Sequence, residues 1–189
     1  MKKPHVTVIC PLDPNRKEEI DNVKHVFNAQ TYKRSDLLIA ADANTIGYKR
    51  NALVCMAKGE IIVHMDSDDA YAKDWIEFNV DFLRANPLIS ITGLSSAYFR
   101  QGEDRYIWEY KGSQKYVCEA TMAYWKKIHG GTKVFEERSI AECSKGEGEK
   151  FLMGNGRILP HTYIEGFEAQ ITGKNHVSHL SLPQFRKLT

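Results

Sequence analysis

The chain has 189 residues, of which 42% are hydrophobic and 26% charged, a composition ordinary for one globular domain. Its net charge of +2 is too small to indicate a nucleic-acid-binding or membrane-surface protein. The four cysteines form no CxxC pair, which favours reduced thiols in a cytoplasmic protein over a zinc site or a disulfide framework. The sequence also lacks a signal-peptide pattern and any run of about 20 apolar residues, so we expect neither a leader nor a membrane span.

The first half of the chain alternates predicted strands with predicted helices. Short β-branched segments bounded by turn residues predict four strands, at residues 5–10, 35–42, 59–66 and 88–94. Apolar residues at helical spacing predict three helices between them, at residues 17–30, 45–58 and 75–86. Thr45 is placed to cap the second helix, and Gly59 is placed to end it. This alternation favours parallel pairing with right-handed crossovers, so we expect an α/β fold.

The second half has a less regular pattern. Residues 96–110 predict a hairpin, and residues 115–128 predict a strand, a turn and a helix. Residues 144–155 predict a short helix, and residues 157–176 predict two closing strands. The hairpin is expected to turn at Gly102, and the last ten residues are expected to be a loosely docked tail. No repeat or linker divides the chain, so we expect a single domain over residues 1–189.

Carboxylates gather at the predicted carboxyl ends of the first three strands. Asp13 follows the first predicted strand, Asp42 and Asp66 end the second and third, and Asp68 and Asp69 extend the third group. Parallel sheets bind ligands beyond this edge, so one shared site is expected there. Crowded carboxylates repel one another, and a divalent cation beside Asp66 and Asp68 would offset that charge. The alternative is that Asp68 and Asp69 only cap the following helix.

Four stretches of the sequence resemble the family 2 glycosyltransferases with the GT-A fold. They are VTVICPLDPNR (6–16), LLIAADANTIGYKRNAL (37–53), AKGEIIVHMDSDDAYAKDW (57–75) and GEGEKFL (146–152). The combined spacing of the first three is specific, whereas a DxD motif alone is weak. The resemblance implies a Rossmann-like, doubly wound mixed sheet in an α/β domain. Residues 1–95 would form the nucleotide-sugar-binding half, and residues 96–180 the half for the acceptor and the catalytic base.

The resemblance also implies an activity. This is the metal-dependent transfer of a sugar, with inversion, from a nucleotide diphosphate sugar to an acceptor hydroxyl. A UDP-sugar is the first choice of donor, and Mn²⁺ or Mg²⁺ would hold its diphosphate. Carried over residue by residue, Asp42 would read the nucleobase, and Pro11 and Asp13 would line the pocket for the base and ribose. Arg50 would approach the base or the diphosphate, and Asp66 would contact the ribose or the metal-bound diphosphate. Asp68 would bind the metal, with Asp69 as the alternate ligand.

The catalytic base is expected in the later acidic segment. When the segment is aligned on Phe151, the aspartate that the family uses falls on Gly148. We therefore predict that Glu147, or else Glu149, accepts the proton of the acceptor hydroxyl. The alternative is that both glutamates only favour the N-terminus of a helix.

The remaining site residues are predicted partly from the same resemblance and partly from side-chain chemistry. His176, or else His179, corresponds to a histidine that often adds a metal ligand in this fold. Trp108 is predicted on the acceptor side, because aromatic faces pack against sugar CH groups. Thr121 lies in CEATM (118–122), which resembles the family's small-residue turn near the acceptor. The alternatives are surface positions for the histidines and core packing for the aromatic residues.

Two other functions stay open. The acids missing at positions 41 and 148 are also compatible with a non-catalytic nucleotide-sugar-binding relative. A nucleotidyltransferase could use a related fold, although the loop PLDPNRKEE lacks the glycines which that class often carries after its first strand. The sequence leaves open the oligomeric state and the acceptor, which could be a glycan, a lipid-linked sugar, a protein or a modified DNA base.

Overall fold

Ten strands and four α-helices make up the described part of the fold. The strands are, in chain order, β1 (Val6–Pro11), β2 (Ser35–Ala40), β3 (Ile61–His64), β4 (Ala70–Tyr71), β5 (Ile91–Thr92), β6 (Ser96–Gln101), β7 (Asp104–Glu109), β8 (Ala123–Trp125), β9 (Phe167–Gln170) and β10 (Phe185–Leu188). The helices are α1 (Ile20–Asn28), α2 (Ile46–Met56), α3 (Trp75–Ala85) and α4 (Glu147–Asn155). The computed structural model describes residues 2–112, 115–130, 134–137, 147–155, 157–172 and 184–188.

The central sheet is mixed and has the strand order β2-β1-β3-β8-β5. β1 lies parallel to β2 and to β3, as the alternation of strands and helices predicted. Every residue of β3 and all of β1 except Pro11 are buried. Such continuous burial is typical of parallel strands that are covered on both faces.

Alternate residues of the central strands face two different hydrophobic cores. Val8 and Val63 lie in the cluster that includes the buried residues of α1 and α3. Ile9 and Ile62 lie in the cluster that includes the buried residues of α2 and α4. Because side chains alternate along a strand, β1 and β3 hold the two layers of helices together across the sheet.

The fourth predicted strand does not pair directly with β3. β8 runs antiparallel between β3 and β5, so the sheet is mixed as the resemblance implied. The helix predicted within residues 115–128 is wrong. That segment contains a 3-10 turn at Glu119–Thr121, then β8, then a 3-10 turn at Lys126–Ile128. The consecutive buried residues Ala123 and Tyr124 suit a strand that is covered on both faces.

A second mixed sheet has the order β10-β7-β6-β9-β4. Its β6–β7 hairpin turns at Gly102, whose φ of 59° favours glycine, so the predicted hairpin is confirmed. Of the two closing strands predicted in residues 157–176, the described residues form only β9, while Ile158 and His161 make isolated bridges. β10 pairs with β7, so the prediction of a loose tail is wrong for Phe185–Leu188.

The helices begin close to their predicted positions. α2 begins at Ile46, after Thr45, whose side chain accepts a hydrogen bond from the backbone of Tyr48 at 3.3 Å. The first predicted helix instead starts as a 3-10 segment, Pro14–Glu19, and becomes α-helical at Ile20. No described helix has both the length and the apolar character that a membrane span requires.

The cysteines are consistent with the predicted reduced thiols. Cys10, Cys55 and Cys118 are free, with Cys10 buried and Cys55 exposed. Cys143 lies outside the described residues.

Candidate functional site

The acidic strand ends lie along one edge of the central sheet. Pro11 at the end of β1 pairs with Ala40 at the end of β2, and Ile9 pairs with His64 at the end of β3. The residues that follow these strands, Asp13, Asp42 and Asp66, therefore emerge at the same edge. Each of the first two also shapes its own turn, since Asp13 accepts a hydrogen bond from Asn15 N at 2.8 Å and Asp42 one from Asn44 N at 2.8 Å. Asp42 remains exposed.

The turn after β3 is held by charged partners from the first loop. Arg16 Nη2 donates to Asp68 Oδ2 at 2.8 Å, and Arg16 Nε donates to Glu19 Oε1 at 2.7 Å. Ser67 Oγ completes the network by donating to Glu19 Oε2 at 2.5 Å. Sequence reasoning missed Arg16 as a site residue, although it closes the first stretch that carried the family resemblance.

Asp69 points into the protein. Its side chain accepts a hydrogen bond from Gln170 N at 3.0 Å, and only 8% of the residue is exposed. Burial, followed by the negative charges of Asp66 and Asp68, raises the pKa of Asp69 well above its usual range. Asp69 thereby ties the turn after β3 to β9 of the second sheet.

The carboxylates at this turn fit a hard divalent cation that is shared with a ligand. In the part of the chain that the structure describes, no group of three or more histidine, cysteine or acidic residues is arranged to hold a metal. Mg²⁺ and similar ions commonly take only one or two protein carboxylates and complete their shell with water and phosphate oxygens. Asp66 and Asp68 provide such oxygens, and their negative charges add to burial in raising the pKa of Asp69. The predicted further ligands His176 and His179 lie outside the described residues.

Arg50 forms a buried ionic network beneath the strand ends. Its side chain is 3% exposed, and its Nη1 donates to Glu119 Oε2 at 2.8 Å. Nη2 of the same guanidinium lies 3.6 Å from Asp66 Oδ1. A buried charge is retained at low cost only when it is paired, so these two carboxylates explain why an arginine is tolerated here.

The 3-10 turn that contains Glu119 is fixed against Asp66. Tyr71 OH accepts a hydrogen bond from Asp66 N at 2.8 Å and donates one to Ala120 O at 3.0 Å. On the other side, His64 Nδ1 lies 2.8 Å from Glu119 O, which can only accept, so this nitrogen carries the proton. Burial and then the charge of Arg50 lower the pKa of His64 well below its usual range.

The two residues predicted on the acceptor side differ in exposure. Thr121 is fully buried, and its hydroxyl donates to Cys118 O at 2.7 Å and accepts from Leu94 N at 2.9 Å. Trp108 lies in β7 of the second sheet, is partly buried, and packs edge-on against Tyr116 with ring centroids 6.3 Å apart. The Thr121 hydroxyl therefore shapes the turn, whereas Trp108 keeps part of its surface exposed.

The predicted base region begins α4. The helix starts at Glu147, but the side chains of Glu147 and Glu149 lie outside the described part. Between them, Gly148 N donates to Glu119 Oε1 at 3.0 Å. Sequence reasoning missed Glu119, although a glutamate within the small-residue turn CEATM was a signal that pointed to it.

The start of α2 organises the loops around the site. Lys49 Nζ donates to Leu12 O at 2.7 Å and so fixes the loop after β1. Asn51 holds Phe135 from both sides, since its Nδ2 donates to Phe135 O and its Oδ1 accepts from Phe135 N, each at 2.9 Å. A Cβ on Gly47 would lie 2.0 Å from Glu136 O, so only glycine permits this approach. These contacts explain why Gly47, Lys49 and Asn51 occur at these positions.

One protein-family model and several solved structures match the chain. A family model described as "Glycosyl transferase family 2" matches residues 15–140. No curated protein matches the chain in sequence. Similar solved structures include S. aureus TarS, with a TM-score of 0.64 and 15% identity over 90% of this chain and 37% of that one.

Two ligand-bound structures are also similar. S. aureus TarS 1-349 in complex with UDP-GlcNAc has a TM-score of 0.64 and 14% identity over 94% of this chain and 60% of that one. The mannosyltransferase PcManGT from Pyrobaculum calidifontis, in complex with GDP-Man and Mn²⁺, has a TM-score of 0.62 and 16% identity over 90% and 57%. The chain thus spans less than two thirds of the length of these proteins, and the likeness establishes the GT-A fold.

Proposed function

The chain belongs to glycosyl transferase family 2, and we propose that it is an inverting enzyme that transfers a sugar from a nucleotide diphosphate sugar to an acceptor hydroxyl. The observation that carries this proposal is the convergence of Asp13, Asp42, Asp66 and Asp68 at one edge of the central sheet. Doubly wound folds bind their ligands at this edge. In this proposal, residues 1–95 bind the donor and residues 96–180 supply the acceptor side.

The donor's nucleobase is assigned to the end of β2. Asp42 is exposed there, and its carboxylate can accept the imide N–H of uracil. Pro11 and Asp13, on the neighbouring strand end, are assigned to the base and ribose pocket. A UDP-sugar is proposed first, and the UDP-GlcNAc complex of TarS supports this choice. A GDP-sugar is the competing donor, supported by the GDP-Man complex of PcManGT.

The donor's diphosphate is assigned to the turn after β3. Asp68, with Asp66 beside it or Asp69 as the alternate, would hold Mn²⁺ or Mg²⁺. A bound divalent cation offsets the charge that develops on the departing diphosphate. Arg16 already offsets the charge of Asp68 by donating to Oδ2, and the second carboxylate oxygen can bind a cation at the same time. The neighbouring Arg16 guanidinium suits a phosphate oxygen.

Transfer with inversion also needs a carboxylate that accepts the proton of the attacking hydroxyl. The sequence predicts this group in the first turn of α4, at Glu147 or Glu149. Trp108 keeps an exposed part and remains the proposed contact for the acceptor sugar. Thr121 would act on the acceptor only through the shape of its turn, because its hydroxyl already bonds to Cys118 O and Leu94 N.

The test is a calorimetric titration of the whole chain with UDP, GDP, CDP and TDP, each in the presence of Mn²⁺ and in the presence of EDTA. We expect one diphosphate to bind more tightly with Mn²⁺, which would identify the donor class. Release of that diphosphate from its sugar conjugate would then distinguish an enzyme from a non-catalytic binder. Failure of all four to bind would contradict the proposed function.

A further inference from the structure

The Glu119 carboxylate occupies the space in front of Gly148. A Cβ built on Gly148 would lie 2.6 Å from Glu119 Cδ and 2.8 Å from Glu119 Oε1. The backbone of Gly148 does not adopt the positive φ that favours glycine, so its conformation would allow a side chain. A side chain at position 148 would therefore have to displace the carboxylate of Glu119.

The same position is where the family resemblance puts an acidic residue. Aligned on Phe151, Gly148 replaces the aspartate that accepts the proton in that family. The carboxylate that position 148 lacks is supplied from the turn before β8, and Gly148 N holds it with a hydrogen bond of 3.0 Å. The Glu119 carboxylate thus lies at the first turn of α4, where the resemblance expects an acidic side chain.

Contacts on the other side of Glu119 lead to the proposed donor site. Arg50 bridges the carboxylate to Asp66, at 2.8 Å from Glu119 Oε2 and 3.6 Å from Asp66 Oδ1. Tyr71 makes a second link from Asp66 to the Glu119–Thr121 turn. The Glu119 side chain is 13% exposed, so it is held rigidly yet is not sealed from the surface. A base needs both properties, because it must be positioned and must still reach the acceptor hydroxyl.

We propose that Glu119, rather than Glu147 or Glu149, is the general base of the transfer reaction, an inference that rests on the proposed function. The acceptor oxygen forms a bond to the anomeric carbon of the donor sugar, and its proton passes to a Glu119 carboxylate oxygen. The bond from the anomeric carbon to the diphosphate oxygen breaks, and its electron pair leaves with the nucleoside diphosphate. Glu119 then returns its proton to solvent.

A purely structural role for Glu119 predicts a different pattern of variants. If the carboxylate only anchors α4 and pairs with Arg50, its removal should lower stability and donor affinity. A catalytic role lowers the rate of turnover and leaves donor binding intact. An aspartate at position 148 would provide a carboxylate at the same place only after Glu119 has been shortened, because the two side chains overlap.

The experiment measures release of nucleoside diphosphate, with water as the acceptor, from UDP-glucose, UDP-GlcNAc and GDP-mannose in the presence of Mn²⁺. The variants are Glu119→Ala, Glu119→Gln, Glu147→Gln, Glu149→Gln, Gly148→Asp and the double variant Glu119→Ala/Gly148→Asp. Glu103→Gln, an exposed residue beside the β6–β7 turn, is the matched control for loss of a glutamate. Donor affinity and melting temperature are measured for every variant.

We expect both Glu119 variants to lower kcat by at least about 100-fold while the donor KM stays within about threefold. The double variant should regain at least about tenfold over Glu119→Ala, whereas Gly148→Asp alone should be impaired by the overlap with Glu119. Glu147→Gln and Glu149→Gln should each lower kcat by less than the Glu119 variants do.

The proposal is overturned if the Glu119 variants keep kcat within about threefold of the unaltered chain, or if Glu147→Gln or Glu149→Gln abolishes turnover instead. A folded, donor-binding double variant that shows no recovery also overturns it. The proposed function is judged separately, by diphosphate binding and donor turnover in the unaltered chain before any variant is compared.

Discussion

Arg16 and Asp68 are 52 residues apart in the chain, yet their side chains share a hydrogen bond of 2.8 Å. Both side chains are largely buried, at 11% and 13% exposure, so the charges are only weakly screened by water. The pair joins the 3-10 segment after β1 to the turn after β3. A cation that binds Asp68 would therefore share this carboxylate with Arg16.

Replacement of Asp68 with asparagine is expected to remove the metal dependence of nucleoside diphosphate binding. The amide keeps the shape of the side chain and loses the charge that would hold the cation, so affinity in Mn²⁺ should fall at least about tenfold, towards the value in EDTA. Calorimetric titration measures the change. Asp81→Asn on the exposed side of α3 is the control, and unchanged Mn²⁺-dependent affinity in Asp68→Asn would contradict the metal site.

Replacement of Arg50 with methionine is expected to lower the free energy of unfolding by about 3–5 kcal/mol. The change leaves the largely buried Glu119 carboxylate without the guanidinium that lies 2.8 Å away. Glu119→Gln in the same chain should recover part of this loss, because a neutral amide needs no cation. Urea unfolding of the two single variants and the double variant measures the coupling, and strictly additive effects would show that the pair is not coupled.

Gly47→Ala is expected to destabilise the protein by about 1–3 kcal/mol. The new Cβ would lie 2.0 Å from the backbone oxygen of Glu136, so either α2 or the 134–137 segment would have to move. Urea unfolding measures the cost. Cys55→Ala, on the exposed side of the same helix, should change stability by less than about 0.5 kcal/mol, and equal effects at both positions would reject the steric explanation.

His161 is expected to make stability depend on pH between about 6.5 and 4. The side chain packs against the rings of Trp75, Phe78 and Phe82, and burial lowers the pKa of His161 to about 4. As the pH falls, the unfolded chain binds the proton first. The stabilisation is therefore complete above about pH 6.5 and is lost as the pH approaches 4, by about 3 kcal/mol in total.

The measurement compares urea unfolding of the unaltered chain and His161→Gln from pH 7 to pH 4. The difference in their unfolding free energies should shift in favour of the variant by about 3 kcal/mol over this range. His64 is also buried with a lowered pKa, but it contributes to both proteins and cancels in the difference. A difference that does not change with pH would mean that His161 is protonated equally easily in both states.

The parts of the fold that sequence predicts are those with local causes. Thr45 caps α2 through a residue three positions away, and Gly102 fits the hairpin through its own backbone conformation. The parallel pairing of β1, β2 and β3 follows from the alternation of apolar strands with amphipathic helices. The position of β8 could not be predicted in this way, because its place between β3 and β5 depends on which sheet edge is left uncovered.

The residues of the candidate site also separate into those with local causes and those that depend on distant partners. The aspartates that follow β1, β2 and β3 can be found from sequence, because the carboxyl ends of parallel strands meet at one edge. Arg16 and Glu119 could not be assigned to the site, since their partners Asp68 and Arg50 are 52 and 69 residues away in the chain. Gly148 has no side chain that would indicate a function, and its place in the site is evident only from the Glu119 carboxylate that contacts it.

The insertion of β8 into the central sheet also constrains the order of folding. When only residues 1–95 have left the ribosome, β3 has one open edge and β5 has no partner in this sheet. An open strand edge is prone to pair with other chains, and it stays exposed until residues 123–125 emerge. Residues 1–95 therefore depend on β8 to complete the central sheet, and an expression fragment that ends at residue 95 is expected to aggregate.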